Sequence, residues 1–80
     1  MKEKTILAQN IQTLRKEKGW TQEELAERLG CSFDAIQAYE CCKREPACKV
    51  MVALEHVFGV TGAQLYGLKP LLHPEATEPQ

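Results

Sequence analysis

Four cysteines, at positions 31, 41, 42 and 48, and two histidines, at 56 and 73, are the residues of this 80-residue sequence best suited to hold a metal or act as nucleophiles. Their spacing argues against both. There is no C-x-x-C pair. Cys31 precedes a stretch of helical spacing and Cys41 and Cys42 end it. Ten residues at about 1.5 Å each set these thiols about 15 Å apart, whereas zinc–sulfur bonds are about 2.3 Å. A metal held by Cys41, Cys42 and Cys48 with His56, or a redox pair of Cys41 and Cys42, are the alternatives to structural or incidental thiols. No export signal is read at the N-terminus, so reduced thiols are the expected state. His56 reads as a surface position and His73 as part of a tail. Neither has a nucleophile or acid–base partner in the pattern, so no enzyme, cofactor, metal or small-molecule substrate is expected.

A different chemistry is available to the stretch "CSFDAIQAYECC", residues 31–42. At 100° per residue, Ala35, Ile36 and Tyr39 fall on one face. Asp34, Gln37, Ala38 and Cys41 fall on the other, with Phe33 at the edge. Such an outer row can meet base edges. Gln37 suits adenine, Asp34 can accept from cytosine N4–H, and Phe33 and Ala38 suit thymine methyl groups. The helix has neither Arg nor Lys, so the commonest guanine contact is missing. The plainer readings stay open. Asp34 also complements the positive end of its own helix, and Phe33 also suits packing over the preceding one.

These residues need a scaffold, and the punctuation of the chain describes one. Gly19, Gly30, Gly59 and Gly67 each follow a run of helical spacing, where a left-handed cap is wanted. No strand alternation is present. The expected fold is all-α, with five helices. The first spans about 5–18, with Leu7, Ile11 and Leu14 as its buried stripe. The second spans 22–29, opened by a Thr21/Glu24 capping box, with Leu25, Ala26 and Leu29 inward. The third spans 33–41 with Ser32 as N-cap. The fourth spans 47–57, with Met51, Leu54 and Phe58 inward, flanked by Val50 and Val57. The fifth spans 62–66, with a Thr61/Gln64 capping box. Residues 1–68 read as one domain. Residues 69–80, with three prolines and no helical period, read as a flexible tail.

Composition narrows the class. At 44% hydrophobic and 26% charged, the chain suits one small globular core. No apolar run approaches a membrane span, and a cytoplasmic protein is expected. Ten basic and eleven acidic residues give a formal charge of −1. Without Glu75 and Glu78 of the last eleven residues, which hold no Lys or Arg, the balance is ten to nine. Near-neutral charge permits local phosphate contacts but gives weak long-range steering.

The second and third helices, joined by "LGCS", have the form of a helix-turn-helix. "IQTLRKEKGWTQEELAERLGCSFDAIQAYECCKREP", followed by "VMVALEHVFGVTGAQL", resembles the helix-turn-helix domain of phage repressors, Cro proteins and small bacterial regulators. The resemblance spans about residues 6–66. It rests on "LR…KGWTQEELA", "LG-S---I---E", a following proline, and "L…FGV". It implies double-stranded DNA as partner, with the base-facing stretch at Ser32, Phe33, Asp34, Gln37 and Ala38. It implies phosphate contact by Gln22 beside the Thr21 cap, aided by backbone N–H groups. Arg15 and Glu40 match a buried ion pair that ties helix 1 to helix 3. Lys43 and Arg44 occupy a loop that can neutralise phosphates.

Cys31 matches a small apolar core position. Cys42 departs from the pattern, which usually has glycine there. Either the loop takes another path or a left-handed cysteine is tolerated. The resemblance also implies a homodimer, with two third helices about 34 Å apart. Val60, Tyr66, Leu68 and Val57 are the apolar residues left for an interface. The function read from these features is a sequence-specific DNA-binding regulator. The alternative is an antitoxin-like or anti-repressor interaction module with weak DNA affinity, which the neutral charge, the third helix without Lys or Arg, and the substituted glycine position also suit.

Overall fold

The structure, a computed structural model, describes residues 5–71. Its elements are α1 (Ile6–Glu17), α2 (Gln22–Leu29), α3 (Phe33–Glu40), α4 (Cys48–Phe58) and α5 (Gly62–Leu65), with no strand among the described residues. Local chemistry accounts for most boundaries. Thr5, Thr21, Ser32 and Thr61 have extended backbones, and each side-chain oxygen accepts the N–H three residues on. Both expected capping boxes form: Glu24 and Gln64 return a bond to the Thr21 and Thr61 N–H groups.

The helix limits differ from the sequence reading by one residue in several places. Thr5 and Lys18 are caps of α1 rather than members. Helix α3 stops at Glu40 instead of Cys41. Helix α4 runs 48–58 rather than 47–57, because Ala47 adopts the extended N-cap geometry. Helix α5 ends at Leu65, with Tyr66 as its cap.

One closing geometry recurs. After α2, the Cys31 N–H reaches the Ala26 carbonyl at 3.0 Å around left-handed Gly30. After α3, the Lys43 N–H reaches Ala38 O at 2.9 Å and the Cys42 N–H reaches Tyr39 O at 3.3 Å. These are the two bonds of a Schellman motif, with Cys42 where glycine belongs. Cys42 has φ 65° and is the only described non-glycine residue with positive φ. Of the two outcomes open at that position, the chain keeps the loop path and tolerates the strain.

The core is Leu7, Ile11, Leu14, Leu25, Ala26, Ala35, Ile36, Tyr39, Leu54, Phe58 and Leu65. It draws on all five helices and takes in most of the residues expected to face inward. Met51, Leu29, Val50 and Val57 are half-buried against it. Cys31 also packs there, and burial pushes its thiol pKa up. Trp20 stacks on Phe58 at 6.0 Å between ring centroids, with the Arg28 guanidinium 4.2 Å above its ring. Asn10 Nδ2 donates to the carbonyls of Gln64 and Leu65, tying α1 to the end of α5.

Beyond α5, Gln64 Nε2 donates to the Pro70 carbonyl at 3.0 Å, and Leu71 packs on the core. These contacts involve residues that sequence assigned to the tail. The remainder of that segment, with His73, lies outside the described residues. Among the described residues no helix is long and apolar enough to cross a membrane. Nor do any three His, Cys, Asp or Glu side chains gather where they could hold a metal.

Candidate nucleic-acid interface

Helix α3 is held from beneath. Ile36 is fully buried, and Ala35, Tyr39 and Glu40 are buried on the same side. This leaves Phe33, Asp34, Gln37 and Cys41 exposed, as the helix wheel requires, with Phe33 38% accessible. Ala38 is only half-buried. Its carbonyl takes the N–H groups of both Lys43 and Arg44, so the closing loop folds back over this turn. The base-facing residues named from sequence therefore share one helix, but Ala38 lies at its margin.

Glu40 anchors the helix to α1. Arg15 Nε donates to its Oε2 at 2.8 Å and Arg15 Nη2 donates to its Oε1 at 3.2 Å. The pair is thus bidentate, and both residues are buried. Arg15 Nη1 also donates to the Trp20 carbonyl at 2.8 Å. One guanidinium therefore fixes the end of α1, the turn after it and the last turn of α3.

Gln22, at the first position of α2, is brought to the same carboxylate. Its Nε2 donates to Glu40 Oε1 at 3.0 Å, a contact the sequence reading missed. Thr21 and Ser32 use their hydroxyl oxygens as caps, accepting from Glu24 N and Ala35 N at 3.0 and 3.1 Å. Each hydroxyl keeps its own proton for donation outward. Lys43 and Arg44 are exposed in the loop after α3. The structure thus joins Gln22, Glu40 and Arg15 in one hydrogen-bonded group, with Thr21 bonded instead to Glu24, while Lys43 and Arg44 are connected to the group through the α3 backbone.

Helix α4 adds a feature that sequence did not single out. Its N-cap is Ala47, with no side-chain acceptor, and its first turn carries no acid. The orphan N–H groups of that turn keep the positive end of α4 uncompensated. The lack of Ser, Thr, Asp or Asn before Cys48 was the available signal.

Two short helices in this relation, the second exposing its outer row, define a helix-turn-helix module. The comparisons with known proteins agree. The model of the helix-turn-helix family matches residues 11–65, and the chain belongs to that family. It is 32% identical over 56 residues to an uncharacterised HTH-type transcriptional regulator, YqaE, of Bacillus subtilis (strain 168). That match covers 70% of this chain and 48% of YqaE, so the chain spans about half the length of this curated relative. The crystal structure of the hypothetical transcription factor NHTF from Neisseria superposes with a TM-score of 0.73 at 32% identity. It covers 79% of this chain and 71% of that one. The solution structure of the DNA-binding domain of the P22 C2 repressor superposes with a TM-score of 0.71 at 23% identity, covering 80% and 84%. This last likeness concerns the fold alone.

Proposed function

We propose that this chain is a sequence-specific DNA-binding transcriptional regulator of repressor type. It acts in the cytoplasm as a homodimer, with α3 of each copy in the major groove of an operator. The observation that carries the reading is α3 itself. Its inner face is locked by Ile36, Tyr39 and the Arg15–Glu40 pair, while Phe33, Asp34 and Gln37 stand exposed in one row.

The division of labour follows from the side chains. Gln37 pairs with adenine, Asp34 accepts from cytosine, and Phe33 and Ala38 meet thymine methyls. Affinity comes from outside α3: Gln22, the α2 N–H groups beside Thr21 and Ser32, and Lys43 and Arg44 act on phosphates. The regulator names of YqaE and NHTF support the same reading. Steric occupancy of the operator is sufficient mechanism, and no catalysis is needed. Tyr66 and Leu68, both strongly exposed, are the apolar residues offered to a dimer mate, with Val57 and Val60 half-buried beneath.

The second reading is a protein-interaction module of antitoxin or anti-repressor kind. It is favoured by exposed Val52, Tyr66 and Leu68, which line an apolar groove with Pro46, Met51 and Ala63. Selection of bound duplexes from a random pool separates the two. A consensus bound with a steep salt dependence supports the regulator. No enriched sequence, together with a co-purifying protein, supports the module.

A further inference from the structure

Glu40 is 1% exposed, yet it is contacted by more than its ion-pair partner. Its Oε2 accepts from Arg15 Nε, and its Oε1 accepts from both Arg15 Nη2 and Gln22 Nε2. A carboxylate has no proton to give, so it can only face the NH2 end of the Gln22 amide. The orientation of that amide is therefore set by chemistry. An amide nitrogen carries two protons about 120° apart in one plane. With one directed at Glu40, the other must point away from the buried carboxylate. Gln22 is half-buried at the start of α2, so part of the residue remains open to solvent.

We propose that Glu40 is a positioning residue for DNA binding. Its carboxylate, neutralised and held by Arg15, clamps the Gln22 amide so that the second N–H meets a phosphate oxygen. The proposal rests on the DNA-binding reading above. It joins two roles that sequence kept apart, the scaffold pair and the phosphate contact. Fixing the long Gln22 side chain during folding removes an entropy cost from the binding step. Arg15 is required as well, because an unneutralised Glu40 would repel the phosphate that Gln22 recruits.

The test is a double-mutant cycle for binding of the full chain to its selected duplex, read by fluorescence anisotropy at one salt concentration. Circular dichroism confirms that each variant is folded. Q22A is expected to weaken binding about tenfold, the size of one hydrogen bond to a charged group. In an R15M/E40L background, Q22A is expected to cost less than about twofold, because no acceptor remains at position 40 to hold the amide. An equal loss in both backgrounds would overturn the proposal.

Q22N guards against the R15M/E40L background failing to fold. It leaves the ion pair intact and keeps the amide, but is one methylene too short to span from Glu40 to a phosphate. It is expected to lose as much affinity as Q22A, and wild-type affinity for Q22N would overturn the clamp. In the unbound protein, the Gln22 side-chain amide protons should give a shifted, dispersed NMR pair that collapses in Q22N. A wild-type chain that selects no duplex sinks the DNA-binding reading and the clamp together. A binding chain with an additive cycle sinks the clamp alone.

Discussion

The sulfur of Cys42 accepts a hydrogen bond from the Thr5 backbone N–H at 3.2 Å, across 37 residues of sequence. The residue that closes α3 thereby reaches the residue that opens α1. Cys42 holds this position with φ 65°, where most side chains are strained. The Thr5 contact offsets part of that cost and gives a structural reason for a cysteine where glycine would be easier.

Replacing that cysteine should separate the two effects. Cys42→Ala keeps the left-handed backbone and loses the sulfur contact, so it should be less stable than wild type. Cys42→Gly loses the contact but relieves the strain. We expect it to exceed Cys42→Ala by about 1 kcal/mol. Urea midpoints measure the gap, and equal midpoints would show that the loop carries no strain.

The Arg15–Glu40 pair gives a larger effect. Removing either partner as alanine leaves a buried charge without its counterpart and should cost about 3–5 kcal/mol. Replacing both with apolar residues of similar size, Arg15→Met with Glu40→Leu, should recover most of the loss in stability. Denaturant unfolding of the four proteins decides this. A double variant no more stable than the single ones would mean that the network, not the charge, dominates.

Two glycines of similar backbone make a paired test. Gly30 and Gly67 have φ of 73° and 82°, but a Cβ on Gly30 would meet open space. A Cβ on Gly67 would come within 2.6 Å of Ile6 Cγ2. Gly30→Ala should cost about 1 kcal/mol from backbone strain alone. Gly67→Ala should cost more, and Ile6→Ala in the same chain should return the excess. Thermal unfolding would show whether the two costs are instead equal.

The salt dependence of DNA binding should report the loop after α3. With Lys43 and Arg44 on phosphates, replacing both with alanine should lower the slope of log affinity against log salt by about two. Gln37→Ala should leave the slope alone and relax base preference at one position. An unchanged slope in the double variant would remove Lys43 and Arg44 from the interface.

Thiol reactivity should follow burial. Cys41 and Cys48 are exposed, whereas Cys31 is half-buried and its thiol pKa is pushed up. A raised pKa leaves less thiolate at neutral pH, so Cys31 should be alkylated last and need the highest pH. Peptide mapping after timed alkylation checks the order.

The stripes Leu7–Ile11–Leu14 and Leu54–Phe58, both capping boxes and the Ser32 cap were legible because they depend on residues three or four apart. Helix ends were legible to within a residue, since a cap is a local hydrogen bond. The Arg15–Glu40 pair, 25 residues apart, came from resemblance, and no local rule would have found it. The clasp of Asn10 on α5, the Gln22–Glu40 bond and the Thr5–Cys42 bond were not legible at all. Each brings a polar or sulfur side chain of common type to a backbone group or to another side chain 18 residues or more away.

By itself, then, the sequence determined an all-α chain of five short helices, the apolar stripes of the longer ones, and the outward row Phe33, Asp34 and Gln37 of α3, though not the half-buried Ala38. Periodicity and capping act within a turn or two of backbone, so they are written in the order of residues. Only the tertiary structure decided what those helices hold in common: one carboxylate receiving both Arg15 and Gln22, and a left-handed cysteine braced by the start of α1. Such contacts depend on angles between helices. Those angles are set by the packing of the whole core rather than by any one stretch of chain.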